Sequence, residues 1–81
     1  MNRQEIEEIV IEIIAEELSI DTREINLDST FKDLGADSLD EMEIMIHIEK
    51  KIHITISDDS ATNIDNVRDL CKFIENKLQE L

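Results

Sequence analysis

The 81-residue chain has room for one small domain, 1–81, at a size where a single core buries only roughly 60% of the surface the unfolded chain exposes. Its 21 acidic against 8 basic side chains give a formal net charge of -13, which excludes nucleic acid and anionic membrane surfaces as natural partners and favours a basic protein surface and a monomeric state. The single cysteine rules out an intrachain disulfide, and no apolar run approaches the roughly 20 residues that span a bilayer, so no stable membrane insertion is expected. The N-terminal residues lack the pattern of a secretion signal, which fits a reducing cytosol or organelle matrix, and a cytoplasmic setting is expected.

From residue 4 to residue 18, apolar side chains recur at Ile6, Ile9, Val10, Ile13, Ile14 and Leu18, a spacing that predicts an amphipathic helix with Ile11 off its main stripe. Residues 19–37 keep no period. They carry Ile20, Ile25, Leu27, Phe31 and Leu34 among polar neighbours, the pattern of a long ordered loop pinned onto a core. A second helix runs from about Leu39, with Met42, Met45, Ile48 and Ile52 on its core stripe, Ile44 widening that stripe, and Ile46 toward the opposite side. The stretch HITISDDSATNI opens with alternating β-branched residues, but a lone strand would have no partner, so a loop and a short helical turn over 58–63 are expected. The last helix starts near Asn66, where Asn66 and Asp69 have the spacing of a capping box, and continues through Val67, Leu70, Cys71, Ile74 and Leu78. Three long helices and one short one make an all-α fold, a small four-helix bundle.

The stretch GADSLD, residues 35–40, stands at the start of the second helix. Gly35 can adopt the positive φ of a sharp turn, and Asp37 is a good N-cap, worth about 1 kcal/mol relative to alanine. Ser38 then takes the first helical position with its hydroxyl exposed, where the helix N-terminus favours an attached phosphate. Three readings stay open on these residues alone: a serine that helps the cap, a nucleophile, or an attachment point. Direct nucleophilic catalysis requires an oriented base nearby, and His47 and His53 lie two or more turns along the chain, so no enzyme is expected.

The block LGADSLDEMEIMIHIEKKI, followed by ISDDSATNIDNVRDLCKFI, resembles the acyl carrier proteins of fatty acid synthesis over essentially the full chain. The resemblance implies that 4'-phosphopantetheine is transferred from coenzyme A to the Ser38 hydroxyl by a phosphopantetheinyl transferase. Its thiol then carries acyl groups to fatty acid synthesis enzymes and acyltransferases with basic docking patches. It further implies partner contacts at Asp37, Leu39, Asp40, Glu43, Ile46, Glu49, Ile56 and Asp58. Ile46 has independent support as an apolar side chain facing away from the core stripe. Exposed ion pairs are individually worth about 0–1 kcal/mol, so an acidic cluster there would govern encounter rate and orientation more than affinity. Lys50, Lys51 and Ser57 depart from the family pattern, where the acidic run usually continues and proline is common.

No metal site is expected at His47 or His53, because neither has a cysteine or second histidine at i+4, and Cys71 reads as a small buried hydrophobe. Other accounts of the chain are a carrier for polyketide, peptide or other lipid acyl transfer, and an interaction module without a prosthetic group. A cation-binding module is a further one: Asp58, Ser60 and Thr62 alternate as in a calcium loop, but the glycine and final glutamate of such a loop are missing.

Overall fold

The computed structural model describes residues 1–56 and 63–80 and is all-helical, with three long helices: α1 (Arg3–Leu18), α2 (Ser38–Ile52) and α3 (Val67–Gln79). A single 3-10 turn at Thr22–Glu24 interrupts the loop between α1 and α2. Among the described residues there is no strand, only an isolated bridge between Thr30 and Asn66. The short helical turn expected over 58–63 falls almost wholly outside the described residues, as do Ser57 and the Asp58, Ser60 and Thr62 pattern.

The first helix starts one residue earlier than its apolar spacing indicates, because Asn2 and Glu5 form a capping box. The Asn2 Oδ1 accepts from the Glu5 N–H at 2.9 Å, and Glu5 accepts from the Asn2 N–H at 3.0 Å. Ile6, Val10 and Ile14 are fully buried at i, i+4 and i+8, and Ala15 joins them. Ile9 and Ile13 flank this line on one side, and Ile11 and Leu18 on the other, all packed against the core. Ile11 is thus part of the apolar face. So broad an arc is needed because α1 packs against both α2 and α3, which make no close backbone contact with each other.

The expected loop is ordered as its apolar residues foretell: Ile25 and Phe31 are buried, and Ile20, Leu27 and Leu34 pack against the core. It also caps α3. The first N–H groups of a helix have no partner of their own; here Val67 N–H donates to the Ser29 carbonyl at 3.0 Å and Arg68 N–H to the Leu27 carbonyl at 2.9 Å. Asn66 supplies a third acceptor, its Oδ1 taking the Asp69 N–H at 2.8 Å. Only half of the expected capping box forms, since the Asp69 carboxylate turns to the Asp65 N–H at 3.3 Å. An Arg68–Asp28 ion pair at 2.9 Å adds to the same junction.

The core stripe of α2 differs from the one expected. Ile44, Ile48 and Ile52 are buried and Met45 packs beside them, whereas Met42 is 54% exposed. Both faces of this helix carry apolar residues, so spacing alone allows a stripe rotated by part of a turn. Cys71 is fully buried on α3, and loss of hydration pushes its thiol up to about 11, so little reactive thiolate forms at neutral pH.

Candidate functional site

The start of α2 hangs from a buried ring. Phe31 sits in the core, its carbonyl accepts from the Ala36 N–H at 2.9 Å, and the Lys32 carbonyl accepts from the Gly35 N–H at 3.0 Å. Gly35 has φ +83, and a Cβ placed on it would meet nothing within 4 Å. The glycine is therefore required by the backbone angle and not by crowding.

Asp37 caps the helix. Its Oδ1 accepts from the Asp40 N–H at 2.9 Å, its carbonyl accepts from the Glu41 N–H at 3.0 Å, and the Asp40 carboxylate returns a bond to the Asp37 N–H at 3.1 Å. The return bond makes this a capping box in which Asp40 holds the entry turn as firmly as Asp37 does. The pair leaves the N–H groups of Ser38 and Leu39 without an acceptor among the described residues. Ser38 itself is exposed at the first helical position, free of the cap that its neighbours supply.

Among the described residues no histidine is positioned to activate that hydroxyl. His47 is nine residues further along α2, about 13 Å at 1.5 Å per residue, and its Nδ1 lies 3.6 Å from Glu17 of α1. His53 is the C-cap of α2, in the left-handed region at φ 63. The arrangement presents an exposed hydroxyl to another molecule's chemistry.

The outward face of α2 continues from this point. Leu39 is 68% exposed, Met42 and Glu43 are exposed, and Ile46 is half-buried without joining the core. Leu39, Met42 and Ile46 stand at i, i+3 and i+7, an apolar ridge on one side of the helix. Met42 belongs to it and was placed on the core stripe by the sequence pattern. Glu49 is half-buried at the edge of this face, and its carboxylate accepts from the Ile56 N–H at 2.8 Å, tying the following loop to the helix. Ile56 packs against the core. Asp58 lies outside the described residues, and Lys50 and Lys51 are exposed.

The family model described as the phosphopantetheine attachment site matches residues 8–74. The chain is 46% identical over 79 residues to the acyl carrier protein of Exiguobacterium sibiricum, covering 96% of this chain and 100% of that one. The chain belongs to the acyl carrier proteins. The acyl carrier protein of Guillardia theta is 44% identical over 79 residues, covering 96% of this chain and 98% of the relative, and that of Prochlorococcus marinus is 44% identical over 78 residues, covering 95% and 98%. The fold agrees as well: the crystal structure of the acyl carrier protein from Thermotoga maritima superposes with a TM-score of 0.85 at 30% identity, covering 99% of this chain and 94% of that one. Proteins of this family are carriers and not enzymes, and their prosthetic group is phosphopantetheine.

The mouth of α2 in this carrier is chemically suited to such a group. The exposed Ser38 hydroxyl stands at the N-terminus of α2, where the Ser38 and Leu39 N–H groups have no acceptor among the described residues and the positive helix end favours an attached phosphodiester. The two neighbouring carboxylates are engaged in capping. No helix among the described residues is long and apolar enough to cross a membrane.

Proposed function

We propose that Ser38 is the attachment point of 4'-phosphopantetheine and that the carrier, a cytoplasmic monomer folded as one domain over 1–81, serves fatty acid synthesis. A short helix over 58–63 would complete its four-helix bundle. The observation that carries this reading is the placement of Ser38, an exposed hydroxyl at the first position of α2 whose neighbouring backbone N–H groups have no acceptor, and which has no base within reach, among the described residues. A phosphopantetheinyl transferase must therefore bring both the coenzyme A and the base. The arm, once attached, supplies a thiol that carries acyl groups as thioesters.

The partner surface proposed is the outward side of α2. Leu39, Met42 and Ile46 offer apolar contact, and Asp37, Asp40 and Glu43 steer a basic patch toward it. Glu49 and Ile56 support that surface more than they form it, since one holds the Ile56 N–H and the other packs on the core. Asp58 would extend it past the end of α2. Synthase components and acyltransferases with basic docking patches fit a chain of net charge -13.

The test is Ser38→Ala in a reconstituted acyl transfer reaction. Transfer is expected to vanish while the circular dichroism spectrum and melting temperature stay close to those of the wild type, because Ser38 contributes no side-chain cap. Retained acyl transfer by the folded variant would contradict the assignment.

A further inference from the structure

His47 and Glu43 stand one turn apart on α2, and Glu17, in the last turn of α1, reaches across to them. Their potential ligand atoms all lie within 4.8 Å of one another, with the His47 Nδ1 3.6 Å from the Glu17 carboxylate. We propose that Glu17, Glu43 and His47 form a binding site for one divalent ion of the zinc class, joining α1 to α2.

The donor set fits. Ligands about 2.1 Å from a tetrahedral ion are about 3.4 Å from each other, so the His47–Glu17 separation needs only a small side-chain adjustment. An imidazole with two carboxylates suits zinc and its neighbours better than magnesium or calcium, which take oxygen ligands only. Water would fill the fourth position.

The surroundings carry both signs: Lys50 and Lys51 line the same surface groove as His47, and carboxylates oppose them. Glu17 follows the buried line of α1 formed by Ile6, Val10 and Ile14, and its side chain is only 20% exposed. A second carboxylate, Glu43, lies close by. The negative end of the α1 dipole adds to this field, for the last turn of that helix holds no basic residue. Cys71 does not compete for the ion, being buried on α3 with its thiol pushed up to about 11. The sequence pattern concealed the site: the second ligand on α2 is a carboxylate at i-4 in place of a histidine or cysteine at i+4, and the third comes from another helix.

An ion here would also neutralise Glu43. That consequence rests on the docking surface proposed above, whereas the site itself does not.

The experiment is a calorimetric zinc titration of the untagged full chain, alone in solution, with magnesium in large excess to occupy diffuse acidic positions. One equivalent of zinc is expected to bind. His47→Ala and Glu17→Gln should each weaken it by at least about tenfold, the scale found even for residues that only support a metal ligand. His53→Ala should leave it unchanged. All three positions are on the surface or its edge, and circular dichroism confirms folding of each variant. Zinc binding by His47→Ala equal to that of the wild type, or several weak equivalents abolished by magnesium, would overturn the proposal. No partner enzyme enters the titration, so a failed docking surface leaves its result unaffected.

Discussion

Ile44 and Ile46 are two residues apart on α2 and occupy different worlds. Ile44 is fully buried beneath α1, while Ile46 is half-buried on the outer side, beside exposed Leu39 and Met42 and clear of the core. The inner face follows the usual rule of a bundle helix, an i, i+4, i+8 line of Ile44, Ile48 and Ile52. The outer face breaks that rule with a second apolar ridge bordered by acidic residues. Among the described residues α2 packs on its inner side only, and the docking surface proposed above would give the second ridge its use.

The contrast can be tested in order of effect. Replacing Ile44 by Ala should lower the unfolding free energy by about 2–5 kcal/mol, read by urea denaturation, because it opens a cavity where α1 meets α2. A cost for Ile44→Ala as small as that of a surface substitution would erase the distinction between the faces. Glu49 stands on the border, and Glu49→Ala should cost about 1 kcal/mol by leaving the Ile56 N–H without its acceptor, with Glu49→Gln recovering most of it. On the outer face, Glu43→Lys should slow loading by a phosphopantetheinyl transferase by up to about fivefold at low salt, the scale of one exposed ion pair, with the deficit shrinking as salt rises. The smallest stability change belongs to Met42→Ala, expected within about 0.5 kcal/mol of the wild type by the same urea titration. A loss comparable to that of Ile44→Ala would return Met42 to the core stripe.

Much of this was legible in the sequence. The three long helices follow from apolar spacing, and the ordered loop from its Ile25 and Phe31 anchors, which are indeed buried. Gly35 and Asp37 could be assigned their parts because positive φ and N-capping are local properties, set by one residue and its immediate neighbours. What escaped depends on contacts between distant segments. The rotation of α2 that buries Ile44 and exposes Met42 is decided by α1, and no spacing within α2 reveals it. The capping of α3 by the carbonyls of Leu27 and Ser29 uses backbone atoms that every residue has, so no side chain announces it. The meeting of Glu17 with His47 links residues thirty positions apart, across two helices.

The central claim is that Ser38, at the head of the outer face, receives the prosthetic group. The intact mass of the purified apo chain before and after incubation with coenzyme A and a broad-specificity phosphopantetheinyl transferase tests it most directly, with Ser38→Ala alongside. The wild type should gain one phosphopantetheinyl group and the variant none. A folded wild type that gains nothing, or a Ser38→Ala chain that gains the same mass, would contradict the account.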